Sequence, residues 1–258
     1  NDPLGGHDPY SASKACAELV FNAYLNSFLS QYGDTIPISV LRQAQGEREG
    51  AKSGDTIPIS GEIGSCPPSG GRQIGAGSCR AGNAIGGGDW GLDRLIPDCV
   101  RALSGGRAIA IRNPHAIRPW QHVLELLSGY LWLGACLWEE PGRYSGAWNF
   151  GPDNTADFTV AEVVTRFVQT WGAGEWQDLS EPSAVHEAAT LRLCCDKSAN
   201  YLGWRNALSM EQAIDLTVEW YKMFYSGALQ ESVYLLCTKQ IAKYVKTARG
   251  RTLGWTEK

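Results

Sequence analysis

Short β-rich runs alternate with longer amphipathic stretches along this chain, and this alternation constrains the fold most strongly. Helical periodicity is present over 11–31, 93–103, 123–138, 159–171 and 209–224, and again from 231 onwards. The β-rich runs lie at 35–41, 108–112, 147–150 and 191–193. Strands that alternate with helices are typical of α/β proteins. The sequence therefore predicts an α/β fold, with capping residues Thr159 and Ser209 before two of the helices.

Length and composition exclude several classes of protein. The 258 residues fit one or two domains, and a hydrophobic content of 43% is enough for a globular core. The formal net charge of −4 argues against a nucleic-acid-binding protein, which needs a basic face. No stretch approaches the roughly 18 uninterrupted apolar residues of a membrane span. We therefore expect a globular protein that binds neither nucleic acid nor membrane.

The eight cysteines are scattered and include no C-x-x-C pair, so neither a disulfide framework nor a zinc site is indicated. We expect free thiols that mostly fill the core, as in a protein of the reducing cytoplasm. His186 and Glu187 resemble part of a metal site, but no partner stands at ligand spacing. The sequence therefore predicts no metal.

The heptapeptide GDTIPIS occurs twice, at 33–39 and at 54–60. Polar and glycine-rich sequence follows each copy, and omitting 43–80 joins a β-rich run directly to a glycine-rich loop. We therefore predict that 43–80 is an irregular insertion with a short duplication, in which at most one copy pairs in a sheet. The alternative is a lid over a site, since long structureless loops are otherwise unusual in compact domains.

Tyr10 and Lys14 have the spacing of one helical turn, which places both side chains on one helix face. An ammonium near a phenol stabilises the phenolate, so such a pair can act as a base that removes a hydroxyl proton. Lysine in this position can also hold a cofactor ribose. The spacing alone is weak, because tyrosine and lysine are common on solvated helix faces.

Two further segments have residue types suited to ligand binding. Asn83 precedes the glycine-rich run 86–88, where glycines permit close backbone approach to a ligand or simply form a turn. We assign no phosphate-binding fingerprint to this run. Arg118 precedes a predicted helix, where a guanidinium can bind a diphosphate bidentately, although a surface ion pair is equally compatible with it. His122 taken alone is more typical of a structural residue.

Five segments together resemble the CDP-glucose 4,6-dehydratases, nucleotide-sugar dehydratases of the extended short-chain dehydrogenase/reductase type. They are DPYSASKACAEL, RAGNAIGGGDWGLDRLIPD, IRNPHAIRPWQHVLELLSGYLWL, WNFGPDN and YLGWRNALSMEQAIDLTVEWYK. The resemblance covers 1–42 and 81–225. It implies a partial NAD(P)-binding Rossmann-like fold with a small C-terminal substrate domain. The implied division is 1–42 with 81–122 as Rossmann-like domain, 43–80 as insertion, and 123–258 as remaining Rossmann elements plus substrate domain.

The resemblance implies a lyase that removes water from a nucleotide-activated hexose with bound NAD. Hydride leaves C4 of the sugar, water is lost across C5 and C6, and hydride returns to C6. Tyr10 is then the base at the C4 hydroxyl, and Tyr10 and Lys14 also contact the cofactor. The resemblance further implies that Asn83, Arg94 and Arg118 bind the nucleotide-sugar substrate. A homodimer or higher homo-oligomer is implied as well.

The family also has a glycine-rich NAD-binding turn and an acid/base segment upstream of the tyrosine, and neither is found before Tyr10 here. From the sequence we therefore expect a fragment that neither retains NAD nor converts CDP-glucose. Two alternatives stay open. One is another nucleotide-sugar epimerase or decarboxylase of the same fold. The other is a non-catalytic remnant that binds a nucleotide sugar.

Overall fold

The computed structural model describes 9–29, 74–152, 157–180 and 189–256, and within the first range it gives side chains for 13–27. The helices are α1 Pro9–Tyr24, α2 Leu95–Ser104, α3 Val123–Glu139, α4 Pro141–Tyr144, α5 Val160–Trp171, α6 Asp196–Tyr201, α7 Met210–Tyr225 and α8 Gln230–Gly250. The strands are β1 Gly77–Ala81, β2 Asn83–Ile85, β3 Ile109–Ile111, β4 Ile117–Arg118, β5 Trp120–His122, β6 Gly146–Phe150, β7 Phe158–Thr159 and β8 Trp176–Asp178. A π-helix, Leu25–Leu29, continues α1, and a 3-10 helix, Gly254–Thr256, follows α8.

The chain divides into two compact units. The first consists of Asn1–Ser78 with Leu137–Gly146, and the second of Cys79–Cys136 with Ala147–Lys258. Within the first unit, the Ser78 hydroxyl donates to Glu18 Oε2 at 2.9 Å. This division does not test the three-part division expected from the sequence, which stays a prediction.

The strands pair two by two. β2 pairs with β5 and β3 with β8, both in parallel, whereas β4 pairs with β7 in antiparallel orientation and β1 pairs with β6. Parallel strands require crossover connections, and α2 and α5 provide such segments along the chain. The parallel pairs therefore agree with the predicted α/β class.

The main core of the second unit lies between the helices α2, α5 and α7 and the strands β3 and β5. Val163, Val164 and Phe167 of α5 are fully buried because they share one helix face. Ile214 of α7 belongs to the same cluster and is also fully buried. These helices are held in place by one continuous apolar surface.

Most of the predicted helices are confirmed, with small shifts at their ends. The described part of the stretch 11–31, up to residue 29, forms α1 and the π-helix, and the later stretches form α3, α5, α7 and α8. α2 begins at Leu95 rather than at Asp93, because Asp93 has a φ of 57° and Arg94 is extended. The left-handed backbone of Asp93 is incompatible with an α-helical turn.

The predicted strand at 191–193 is wrong. In the described part of that region only Thr190 forms a bridge, to Ile117, and the Leu191 amide donates to the Ile117 carbonyl at 3.1 Å. The neighbouring β4 is only two residues long and is followed by Pro119, which has no amide hydrogen to continue a ladder. The pairing partner is therefore too short to make a strand of 191–193.

Only the C-terminal end of the predicted insertion 43–80 can be compared with the structure, and there the prediction is wrong in part. Both GDTIPIS copies and the predicted strand at 35–41 lie outside the described residues. At its far end, however, 77–80 form most of β1, which pairs with β6. The prediction of irregular structure is therefore wrong for 77–80, because these residues find a partner that is distant in sequence.

All seven described cysteines are free thiols, as expected. The expectation that they mostly fill the core is wrong, because only Cys99 and Cys136 are buried. Burial, with the Asp98 carboxylate nearby, raises the pKa of Cys99 to about 12. Of the helices in the described ranges, none combines the length and the apolar character that a membrane span requires.

Replacing Thr159 by alanine is expected to lower the free energy of unfolding by about 1 kcal/mol. The Thr159 hydroxyl accepts from the Glu162 amide at 3.2 Å, and Glu162 Oε2 accepts from the Thr159 amide at 2.8 Å, which is a capping box. Urea denaturation measures the loss. Thr247→Ala is the control, because this exposed hydroxyl of α8 only donates to the Lys243 carbonyl. Equal losses in the two variants would contradict the capping role.

Candidate active site

The helix start that contains Tyr10 and Lys14 is confirmed. α1 begins at Pro9, so Tyr10 lies in its first turn and Lys14 one turn later. The Lys14 side chain is exposed. These two residues belong to the first unit, whereas Asn83 and Arg118 belong to the second.

The structure brings the backbone of Asn83 next to the segment that follows Arg118. Asn83 lies in β2 and pairs with Trp120 of β5, and its amide donates to the Pro119 carbonyl at 2.8 Å. The strands can approach this closely because residue 82 is glycine, whose Cβ position would lie 2.1 Å from the Pro119 carbonyl oxygen. Asn83 is thus held beside Pro119 and Trp120, the two residues that follow Arg118.

Arg118 does not stand at the start of a helix, contrary to the expectation. It lies in β4, paired with Phe158 of β7, and α3 begins only at Val123. Its guanidinium donates to the Ile117 carbonyl at 2.9 Å and to the Ala189 carbonyl at 3.5 Å. The N-terminus of α3 therefore does not help to bind a phosphate at Arg118. Phosphate binding by Arg118 would depend on its guanidinium alone.

The glycine-rich loop packs against α7. A Cβ at Gly87 would lie 2.0 Å from Cγ of Trp220, and Gly88 has a φ of 81°. Gly86, Gly88 and Gly91 have the G-x-G-x-x-G spacing of dinucleotide-binding turns, which was not assigned from the sequence. The close approach in this loop is that of Gly87, which lies between the first two of them, and it is to an indole ring of the chain itself.

Asp89 fixes the same loop and orients Arg94. The Tyr221 hydroxyl donates to the Asp89 carbonyl at 2.7 Å, and burial raises the pKa of Tyr221 to about 12. The Asp89 carboxylate accepts from the Gly91 amide at 2.9 Å and forms an ion pair with Arg94 at 3.2 Å. The Arg94 side chain remains 68% exposed, so its guanidinium is accessible to a ligand from solvent.

Glu125 is a buried carboxylate that sequence reasoning missed. Its oxygens accept from the amides of Ala207 and Leu208 at 3.0 and 2.7 Å, and from the Tyr244 hydroxyl at 2.8 Å. Burial is the main reason that its pKa is raised. The available signal was an acidic residue in the first turn of the mostly apolar helix VLELLSGYLWLGACLWE. Glu125 joins α3, α8 and the turn before α7.

Within the described ranges there is no group of three or more histidine, cysteine or acidic side chains that could hold a metal ion. His186 and Glu187 lie outside the described residues. For NAD, the described residues fit in one respect, because the exposed Lys14 ammonium can donate to a ribose hydroxyl. The loop 86–91 does not fit, since its Asp89 and Gly91 amides already have partners.

No protein-family model matches the chain, but its sequence and its fold both have relatives. It is 37% identical over 245 residues to a CDP-glucose 4,6-dehydratase from Salmonella typhimurium, which corresponds to 95% of this chain and 58% of that enzyme. The chain thus spans less than two thirds of the length of this curated relative.

Solved structures agree in fold. A dTDP-glucose 4,6-dehydratase from Streptomyces venezuelae, solved with NAD, has a TM-score of 0.59 and 19% identity, over 88% of this chain and 54% of that one. A dTDP-glucose 4,6-dehydratase from Bacillus anthracis, also solved with NAD, has a TM-score of 0.56 and 20% identity, over 85% of this chain and 54% of that one. The chain is therefore a relative of CDP-glucose 4,6-dehydratase and has the Rossmann-like fold of the extended short-chain dehydrogenases/reductases.

Proposed function

We propose that the protein is a nucleotide-sugar 4,6-dehydratase, whose reaction converts CDP-glucose to CDP-4-keto-6-deoxyglucose with NAD. The sequence predicts that these 258 residues alone form no product, and assay of the purified chain with both ligands tests that prediction separately from the proposed function. The observation that carries the proposal is the 37% identity with a CDP-glucose 4,6-dehydratase over 95% of the chain. The two solved dehydratases with NAD support the choice of cofactor. We also propose that the protein acts in the cytoplasm and that it forms a homodimer or a higher homo-oligomer. Light scattering of the purified protein would test the oligomeric state.

In the proposed reaction, Tyr10 takes the proton of the C4 hydroxyl. The Lys14 ammonium stabilises the resulting phenolate and donates to the cofactor ribose, since the two residues stand one helical turn apart. When bound, NAD supplies hydride acceptance and return. The position of the sugar relative to Tyr10 determines which hydroxyl loses its proton.

In the same proposal, Arg118 and Arg94 bind the substrate diphosphate, and Asn83 binds the substrate beside them. Arginine suits this task because its planar guanidinium binds phosphate oxygens bidentately. The exposure of Arg94 and the pairing of the Asn83 strand with the strand after Arg118 support this assignment. The ion pair with Asp89 would orient the Arg94 guanidinium before the substrate arrives.

Arg118→Ala is expected to weaken CDP-glucose binding about ten- to a hundredfold, because a charge-assisted bidentate contact contributes roughly 1.5–3 kcal/mol. Arg118→Lys retains the charge but not the paired donors and should recover part of the loss. Lys14→Ala should have a smaller effect, since Lys14 would contact the cofactor. Calorimetric titration of CDP-glucose measures all four proteins.

Arg112→Ala is the matched control, because Arg112 is 81% exposed and pairs only with Asp93 among the charged residues of the described ranges. Equal affinities of the unchanged protein and Arg118→Ala would remove Arg118 from the site. Product analysis separates the proposed reaction from epimerisation, because only the 4-keto sugar absorbs in alkali. An epimerised sugar without that absorbance would favour the epimerase alternative.

A further inference from the structure

Tyr221 of α7 bonds twice to one residue of the loop 86–91, which leads to Arg94. Its hydroxyl donates to the Asp89 carbonyl at 2.7 Å, and the Asp89 amide donates to the same hydroxyl oxygen at 3.1 Å. The tyrosine is fully buried and belongs to the main core, where close packing fixes its position. Because the amide and the carbonyl of Asp89 share this partner, the backbone of Asp89 is fixed in both position and direction.

The neighbouring Trp90 is held by the same part of α7. Its ring centroid lies 5.4 Å from that of Tyr221, in an edge-to-face arrangement, and 4.9 Å from that of Phe224. From α2, the Arg101 guanidinium donates to the carbonyls of Trp90 and Gly91 at 3.2 and 3.1 Å. Side chains of two helices therefore hold the loop in place.

Asp89 connects this fixed backbone to Arg94. One of its carboxylate oxygens accepts from the Gly91 amide at 2.9 Å, and the other pairs with Nη1 of Arg94 at 3.2 Å. A Cβ at Gly91 would lie 2.9 Å from Cδ of Arg94, so the arginine side chain passes directly over this glycine. An exposed ion pair contributes little stability by itself. The orientation of Arg94 is defined because the backbone that carries its carboxylate partner is fixed.

The ion pair leaves donors of Arg94 accessible to a ligand. The side chain is 68% exposed, and among the described residues only its Nη1 has an acceptor. A long side chain loses rotamer freedom when it binds a ligand, and orientation in advance reduces that cost. An arginine that is oriented in this way can offer its remaining donors to the phosphates of a nucleoside diphosphate.

We propose that Tyr221 is a positioning residue for the nucleotide-sugar substrate. Its hydroxyl fixes the backbone of Asp89, and the Asp89 carboxylate then holds the Arg94 guanidinium in the orientation that binds the diphosphate. Tyr221 itself acts only through these two residues. The inference rests on the proposed function, from which it takes the substrate role of Arg94.

The test is a double-mutant cycle, measured by calorimetric titration with CDP-glucose. Arg94→Ala should weaken binding about tenfold or more, as expected for a lost charge-assisted contact. Tyr221→Phe should weaken binding about two- to tenfold, because Arg94 must then be ordered when the ligand binds. In the Arg94→Ala background, the same substitution should change the affinity by less than about twofold, since no guanidinium remains to be oriented. A tyrosine that only stabilised the fold would not produce this dependence on Arg94.

Tyr244→Phe is the matched control. Tyr244 is also buried, and its hydroxyl also makes two contacts, with Glu125 and Ser128, neither of which belongs to the loop. This substitution should lower the free energy of unfolding and leave the affinity for CDP-glucose unchanged. If Tyr221→Phe does not fold, Arg101→Gln takes its place in the cycle, because this partly exposed guanidinium holds the same loop from α2.

Hydrogen exchange of the Asp89 amide, followed by NMR in the ligand-free protein, measures the first step without any substrate. Tyr221→Phe removes the acceptor of this amide, so its exchange should become about tenfold faster or more. Tyr244→Phe should change this rate much less. Equal rates in the two variants would show that Tyr221 does not fix the loop, and would overturn the inference.

Three binding results would also overturn it. Equal losses of affinity on Tyr221→Phe in both backgrounds, or no loss in either, would leave Arg94 without a positioning residue in α7. An Arg94→Ala variant that binds as well as the unchanged protein would mean that nothing is positioned. In these cases CDP-glucose still binds and the proposed function stands. Failure of the unchanged protein to bind CDP-glucose is distinct from them, because it contradicts the proposed function together with the inference.

Discussion

Glu125→Ala is expected to lower the free energy of unfolding by about 3–5 kcal/mol, the cost of breaking a buried charged network. The substitution removes the acceptor of the Ala207 and Leu208 amides and leaves both of these donors unpaired. The Tyr244 hydroxyl loses Glu125 and keeps only Ser128 Oγ, at 2.8 Å. Urea denaturation measures the change. Glu175→Ala is the control, because this exposed carboxylate should change stability by less than about 0.5 kcal/mol. A loss near that of the control would show that the network contributes little.

The Glu125 carboxylate also makes the free energy of unfolding depend on pH, and the direction of its pKa shift determines the sign of that dependence. Burial raises the pKa of Glu125 in the folded protein, although Tyr244 and Arg251 act against this shift. A raised pKa in the folded state contributes stability that is present below the unfolded pKa and is lost as pH rises through the folded pKa. The stability of the unchanged protein minus that of Glu125→Gln should therefore be largest in acid and decline as pH rises. A difference independent of pH would contradict this.

Phe150→Ala is the second large effect, with an expected loss of about 3–5 kcal/mol. The ring is fully buried and makes edge contacts with Tyr130 and Trp204, at centroid distances of 5.6 and 5.0 Å. Its removal leaves a cavity against α3, where residue 129 is glycine. Thermal and urea denaturation together measure the loss.

Gly129 provides a sharper form of this test. A Cβ at Gly129 would lie 2.4 Å from Cδ1 of Phe150, so Gly129→Ala should cost about 1–3 kcal/mol in the unchanged protein. With Phe150→Ala present, the same substitution should become favourable, because the clash is gone and alanine favours the helix by about 1 kcal/mol. Gly134→Ala is the control in the same helix, since nothing lies within 4 Å of its Cβ position. Additive effects would contradict the contact.

The sequence predicts those parts of the structure that local interactions determine. The helices follow from their apolar periodicity. The predicted cap at Thr159 and the predicted capping box at Ser209 are confirmed, because their partners are three residues away. Long-range contacts are not visible in the same way. The pairing of β1 with β6, the packing of Gly87 on Trp220 and the absence of a strand at 191–193 depend on residues far away in the sequence.

In the candidate site, too, the features set by local sequence could be predicted and those set by long-range contacts could not. The spacing of Tyr10 and Lys14 within one helical turn could be predicted, because it is a property of one helix. The position of Arg118 in a strand could not, because β4 exists only through its pairing with β7. The network of Glu125 joins residues more than 80 positions apart, and no local pattern reveals it.

The attachment of α8 determines how the protein responds to proteolysis. Besides the contact of Tyr244 with Glu125, Gln240 Nε2 donates to the Leu216 carbonyl of α7 at 2.9 Å. A cut in the turn 226–229 that released α8 would leave a buried carboxylate and a buried carbonyl without these partners. Cleavage there should therefore lead to complete digestion of the second unit, and a trimmed intermediate should not accumulate.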